Sequence, residues 1–214
     1  NGATLTADRF GNVNSAYSFD GNTNIRIPIG DSDLGNEYTM ALWVNLQNNS
    51  NEFPTYVHGI NTSSNCPFIC QQFNNFGVGT NHYQGIASGN TGTQLLALNT
   101  TAPNIWYNVV ISTSSSAGSV FYINGFVVDT ETALNFSVTG DSIQIGDGLN
   151  GATDNFIGYV DDIAIHNRAL SESEIQQLYA SCTSPITLNN LPDQSSCGAD
   201  LVTLTASATH TYNV

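Results

Sequence analysis

The stretch "FIGYVDDIAIHNRALSESEIQQLY", residues 156–179, changes its period half-way along. As far as His166 its apolar residues recur as in a strand with one buried face. Beyond Ser171 the spacing is helical, and Ile175, Leu178 and Tyr179 share one side that must lie on the rest of the fold. Ser171-Glu172-Ser173-Glu174 reads as a capping box, in which the Ser171 hydroxyl meets the Glu174 amide and the Glu174 carboxylate reaches back. The helix acids are therefore caps. Asp161 and Asp162 stand side by side within the strand half, where the only basic residue nearby in sequence is Arg168. Strict alternation sends their side chains to opposite faces, so they cannot form a same-face acid pair. Either they are solvated strand-end carboxylates with Arg168 close by, or a positive group other than a side chain holds them.

Outward from this stretch the chain is a series of short apolar runs bounded by Asn, Gly and Ser. "AYSFD" and "IRIPI" come first, then "YTMALWVNL", in which Met40, Leu42, Val44 and Leu46 share one face. "PTYVHGI", "PFICQQF", "FGVGT", "TQLLAL", "WYNVVIST" and "SVFYINGFVVDT" come next, then "SIQIGDG" and "YVDDIAIH". Asn124-Gly125 between two apolar runs is a hairpin signal. Roughly a dozen strands at this spacing predict an all-β, antiparallel two-sheet sandwich with one short C-terminal helix. After Cys182 the texture changes to a tail with prolines and one strand-like run, "LVTLTASA". The predicted organisation is a domain over 1–182, followed by 183–214 as a linker and the start of another module.

Composition narrows the partners. The 214 residues include 17 acids and three bases, Arg9, Arg26 and Arg168, for a net charge of −14, and there is no lysine. A phosphate backbone or an anionic membrane surface would be repelled, whereas cations and neutral polyhydroxylated ligands would not. No apolar run is long enough to span a bilayer. Cys66 lies close to Cys70, and Cys182 to Cys197; "CPFIC" lacks the spacing of a redox or zinc motif. Two disulfides in an exported, extracellular protein are expected. For Cys197 two arrangements stay open, a local bond to Cys182 or a partner outside this chain. Four N-x-S/T sequons begin at Asn48, Asn61, Asn99 and Asn135, and in so Asn-rich a chain they decide nothing.

The blocks "SAYSFDGNTNIRIP", "YTMALWVNL", "WYNVVIST", "SVFYINGFVV", "IQIGDG" and "FIGYVDDIAIHNRALSESEIQQLY", in this order, resemble laminin-G-like jelly rolls of the concanavalin A-like lectin/glucanase superfamily. The resemblance covers about residues 1–180, and the tail resembles the start of immunoglobulin-like modules in large exported bacterial surface proteins. It implies a jelly-roll sandwich, with Trp43 and Trp106 in regular strands and hence in the core. It also implies a structural calcium held by Asp20, Asn22 and Asn24 of "FDGNTN" together with Asp161 and Asp162. The chemistry of those residues agrees, since calcium takes six to eight oxygens from carboxylates, amides and carbonyls. Two neighbouring carboxylates repel by about 1–4 kcal/mol, and a divalent ion reverses the sign.

Members of this superfamily that cleave glycans carry acids alternating along one strand, with carboxyls about 5–5.5 Å apart for retention. No such run occurs here, nor a Gly-x-Ser-x-Gly elbow to pair with a histidine. The expectation is a non-catalytic module. Its predicted ligand surface lies in "YVHGINTSSNCPFICQQFNNFGVGTNHYQG", where Tyr56, His58, Gln71, Phe73, Asn75, Asn81, His82 and Tyr83 combine rings with amides and imidazoles suited to a sugar. A Cys66–Cys70 bridge would stiffen the adjoining loop. Two functions are expected in consequence. One is a calcium-stabilised, carbohydrate-binding module of a larger secreted or surface protein, acting beside other domains of that parent. The other is a structural, adhesin-like building block without sugar affinity.

Overall fold

The computed structural model describes residues 2–29, 34, 37–47, 55–60, 68–72, 75–79, 95–97, 102–132, 142–146 and 156–181, with 55–60, 68–72, 75–79 and 95–97 as backbone. The chain divides into two units, Asn1–Ser184 and Pro185–Val214. Every described strand and the helix belong to the first; the tail, with Cys182 and Cys197, lies outside the described residues.

The strands are β1 (Thr4–Thr6), β2 (Ala16–Asp20), β3 (Ile25–Pro28), β4 (Tyr38–Leu46), β5 (Thr55–Ile60), β6 (Phe68–Gln72) and β7 (Asn75–Gly79). They continue as β8 (Leu95–Ala97), β9 (Trp106–Ser114), β10 (Gly118–Ile123), β11 (Phe126–Glu131), β12 (Ser142–Ile145) and β13 (Ile157–His166) before helix α1 (Glu172–Ser181). They form two antiparallel sheets, a seven-stranded one ordered β1-β2-β13-β4-β9-β10-β11 and a six-stranded one ordered β3-β12-β5-β6-β7-β8. The expected all-β sandwich with one C-terminal helix is what the chain builds.

The core lies between the sheets, as the alternation requires. Met40, Leu42, Val44 and Leu46 of β4 point inward beside Val109 and Ile111 of β9, Phe121 of β10 and Val160 of β13. They meet Ile143 and Ile145 of β12 from the other sheet. Each such side chain, fully buried, contributes about 1.5–3 kcal/mol. Phe19 and Phe156 close one end with ring centroids 5.6 Å apart. Gly146 makes room for them. A Cβ there would stand 2.2 Å from Phe19 Cδ1, and its φ of 85° is left-handed. Asn124 and Gly125 have φ of 53° and 79°, the conformation of a type I′ hairpin turn between β10 and β11.

The outer face of the large sheet carries a second, smaller core. Ala41, Val110, Tyr122, Leu170 and Ile175 are buried there, with Leu178 packed against them, so α1 lies on the side of the sheet turned away from the sandwich interior. The capping box forms: Ser171 N donates to Glu174 Oε2 at 2.9 Å, and Glu174 N to Ser171 Oγ at 3.4 Å. Arg168 forks onto Glu174 at 2.6 and 3.0 Å. It therefore stabilises the helix start and is not the partner of Asp161 and Asp162.

Candidate functional site

Ladder pairing lays the outer face of β13, β4 and β9 out in rows. Tyr159, Asn45 and Trp106 stand opposite one another, then Asp161, Trp43 and Asn108, then Ala164, Ala41 and Val110. Helix α1 covers the third row and reaches the second, where Tyr179 stacks on Trp43 with centroids 5.6 Å apart. The first row is left half-open.

Between the second and third rows the β13–β4 ladder slips. Asp161 opposes Trp43 and Ala164 opposes Ala41, so two residues of β13 stand against Leu42 alone. Asp162 is the extra residue of this bulge, with a left-handed φ of 44°. Ile163 then returns to the interior. The bulge cancels the alternation, and the two carboxylates emerge on the same side of the sheet, contrary to the expectation of opposite faces.

What meets them there is a side chain. Arg9, in the turn before β2, donates through Nη1 to Asp161 Oδ2 and through Nη2 to Asp162 Oδ2, the latter at 2.6 Å. Its side chain is 7 % exposed, against 5 % for Asp161 and 47 % for Asp162. The guanidinium carbon sits 4.4 Å from the ring centroids of both Phe10 and Trp43. Asp8 shapes the turn by accepting from the backbone N–H groups of Phe10 and Asn12, each at 2.8 Å. Burial pushes the Asp161 carboxyl above the usual carboxylate range, the Asp162 charge adds to this, and Arg9 opposes both.

These positions do not fit one calcium ion. Asp20 pairs with Ile157, four positions along β13 from Asp161, a separation of about 13 Å at 3.3 Å per residue. Asp20 instead holds its own turn, accepting from Asn22 N at 2.9 Å. Asp20, Asn22 and Asn24 therefore belong to one end of the sheet, while Asp161 and Asp162 belong to its middle, already opposite a cation. Among the described residues no three His, Cys, Asp or Glu side chains gather in metal-binding geometry.

Beside the bulge lies a cleft of about 210 Å³ lined by Ala41, Trp43, Asn108, Asp162, Ile163, Ala164 and Leu178. Trp43 and Asn108 are cross-strand partners, and Trp43 Nε1 and Asn108 Oδ1 are each buried with no hydrogen-bond partner among the described residues. In the open first row Trp106 and Tyr159 stack with centroids 6.3 Å apart and planes inclined at 29°. Both are half-buried. They flank Asn45, whose Oδ1 is likewise buried and unpartnered among the described residues, and Gln47 Nε2 donates to the Tyr159 hydroxyl.

A sandwich of this topology, with a capped helix on its outer face, matches one family model over residues 19–176, that of the concanavalin A-like lectin/glucanases superfamily. The chain belongs to that superfamily. This concanavalin A-like domain is also similar in fold to several solved structures. One is the botulinum neurotoxin serotype D ligand-binding domain in complex with N-acetylneuraminic acid, at TM-score 0.65 and 16% identity over 85% of this chain and 44% of that one. Another is the botulinum neurotoxin serotype G binding domain, at TM-score 0.60 and 18% identity over 86% of this chain and 47% of that one. The domain thus spans less than half of each of those chains. No curated protein matches it.

Of the surface expected to bind a ligand in this concanavalin A-like domain, Tyr56 and His58 lie on β5, Gln71 on β6 and Asn75 on β7, all in the six-stranded sheet. His58 is opposite Gln144 and Phe68, and Gln71 is opposite Phe76. Phe73, Asn81, His82, Tyr83 and Cys66 lie outside the described residues, and Cys70 falls on β6. Of the two tryptophans expected in the core, Trp43 is buried as expected and Trp106 needs correction. Trp43 lies on the outer face beneath Arg9 and Tyr179, and Trp106 is only half-buried beside Tyr159. Sequence reasoning misses Arg9 and the Trp106–Tyr159 pair. The parity of β9, with Val109 and Ile111 inward, is the signal that could have found Trp106.

Proposed function

We propose that the domain is a non-catalytic carbohydrate-binding module of a larger extracellular protein. The observation that carries this reading is the Trp106–Tyr159 pair, two amphipathic rings side by side on a half-open sheet face, flanked by the amides of Asn45 and Gln47. Rings supply apolar area for a sugar face, and amides satisfy its hydroxyls. A lysine-free surface with net charge −14 favours a neutral polyhydroxylated ligand over an anionic one. The structural neighbour in complex with N-acetylneuraminic acid supports sugar binding as a use to which this fold lends itself. The reading needs no calcium at Asp161 and Asp162. It also assigns no acid–base chemistry there, because both carboxylates are engaged by one guanidinium.

The test is a glycan array followed by calorimetry on the strongest hit. Trp106→Ala should weaken binding about tenfold or more, the usual scale for an aromatic anchor. If His58→Ala or Gln71→Ala abolishes binding while Trp106→Ala leaves it intact, the glycan reading stands but its surface is the six-stranded sheet. If no glycan in the array is retained, the reading fails.

A second reading, a structural or adhesive building block, is favoured by β11, at the edge of the large sheet. Phe126 and Val127 there are 68% and 41% exposed, and an apolar edge is a template for association. Concentration-dependent sedimentation that is abolished by Phe126→Ser would support it.

A further inference from the structure

We propose that the guanidinium of Arg9 stands in for a divalent ion at the Asp161–Asp162 bulge, making the closure of the early turn onto β13 independent of metal. The two carboxylates reach the same side only because Asp162 is a bulge residue. Side by side and partly buried, they repel, and a cation must sit between them. Arg9 is that cation. A planar fork reaches two carboxylates through two different nitrogens, and the same plane lies within 4.4 Å of the rings of Phe10 and Trp43. A calcium ion could offer the charge but not the stacking, and it would need several more oxygens than two carboxylates supply. The turn carrying Arg9 is pre-shaped by Asp8 through three hydrogen bonds, two to backbone N–H groups and one to the Asn12 side-chain amide. The fork is thus presented to the bulge with little ordering left to do. The same residue also sets a wall of the neighbouring cleft, since Trp43 and Asp162 both line that cleft and both touch Arg9.

The experiment is thermal melting of the wild type, Arg9→Gln, Arg9→Lys and Asp162→Asn, each in calcium and in excess chelator. Arg9→Gln should lower Tm by about 5–10 °C, the scale of breaking one buried ion pair in a domain of this size. Arg9→Lys should recover less than half of that, because an ammonium neither forks nor stacks as a plane. Chelator should leave the wild type unmoved, or should shift wild type and Asp162→Asn equally, which places any metal away from the bulge. The proposal is overturned if chelator lowers the wild-type Tm and Asp162→Asn removes that shift, or if Arg9→Gln melts like the wild type. Should Arg9→Gln fail to fold, the chelator comparison between wild type and Asp162→Asn decides alone.

Discussion

Leu170 donates its backbone N–H to the hydroxyl of Thr39 at 2.9 Å, across 131 residues of chain. The same hydroxyl donates to the carbonyl of Arg168 at 3.0 Å, and Ser112 Oγ donates to the carbonyl of Leu170, also at 3.0 Å. Two buried side chains of the large sheet thereby satisfy the backbone that leads into α1. Thr39→Val keeps the shape and removes the hydroxyl, leaving buried backbone groups unpaired at a cost of about 2–4 kcal/mol. Thr39→Ser should retain most of the stability. Urea unfolding of the two variants checks both statements.

Asp162 sits at a φ of 44°, where an L residue other than Asn or Asp is strained. Asp162→Ala and Asp162→Gly both lose the carboxylate, but only alanine adds backbone strain. Glycine should therefore be the more stable of the two by about 1 kcal/mol, reversing the order usual within a strand. Chemical denaturation of both variants measures the difference.

Acid should loosen α1. Pairing with Arg168, assisted by Ser171, lowers the Glu174 pKa from its ordinary 4.5 to about 2. A folded pKa below the unfolded one means that the contribution is present above pH 4.5 and lost as pH falls toward 2. Asp161 has the opposite sign, since its raised folded pKa favours the folded state at low pH and loses that contribution as pH rises. Between wild type and Glu174→Gln, the Tm difference should be constant near neutrality and close as the pH approaches 2. Thermal melts across that range are the measurement.

Gly146 should tolerate no side chain. Alanine there meets the Phe19 ring at 2.2 Å and holds an unfavourable φ of 85°. A loss of about 3 kcal/mol or more is expected, since overpacking and backbone strain add. Gly11, with nothing within 4 Å of a Cβ and a similar φ of 87°, is the control that carries the backbone cost without the clash. Denaturant melts of Gly146→Ala and Gly11→Ala separate the two contributions.

Local patterns are readable because local physics produces them. The capping box at Ser171 and Glu174, the hairpin at Asn124-Gly125 and the inward set from Met40 to Leu46 each depend on a few consecutive residues, and each appears as expected. The site around Asp161 is not readable, for two reasons. A bulge adds one residue without disturbing composition, so alternation puts Asp161 and Asp162 on opposite faces. The compensating charge lies 152 residues away in Arg9, and no spacing rule connects the two. Family likeness joins Asp20 to Asp161 by segment, but register decides distance, and the ladder separates them.

The order of the large sheet also bears on how the chain reaches its native state. β13 is the last of the described strands in chain order, yet it is seated between β2 and β4, near the start of the sequence. Until it arrives, the early strands lack their central neighbour, so the sheet cannot assemble progressively from the N-terminus. Pairings at such separation close slowly. In a nascent copy the gap between β2 and β4 would stay unfilled until nearly the whole domain had been delivered, so the large sheet becomes continuous only late in synthesis.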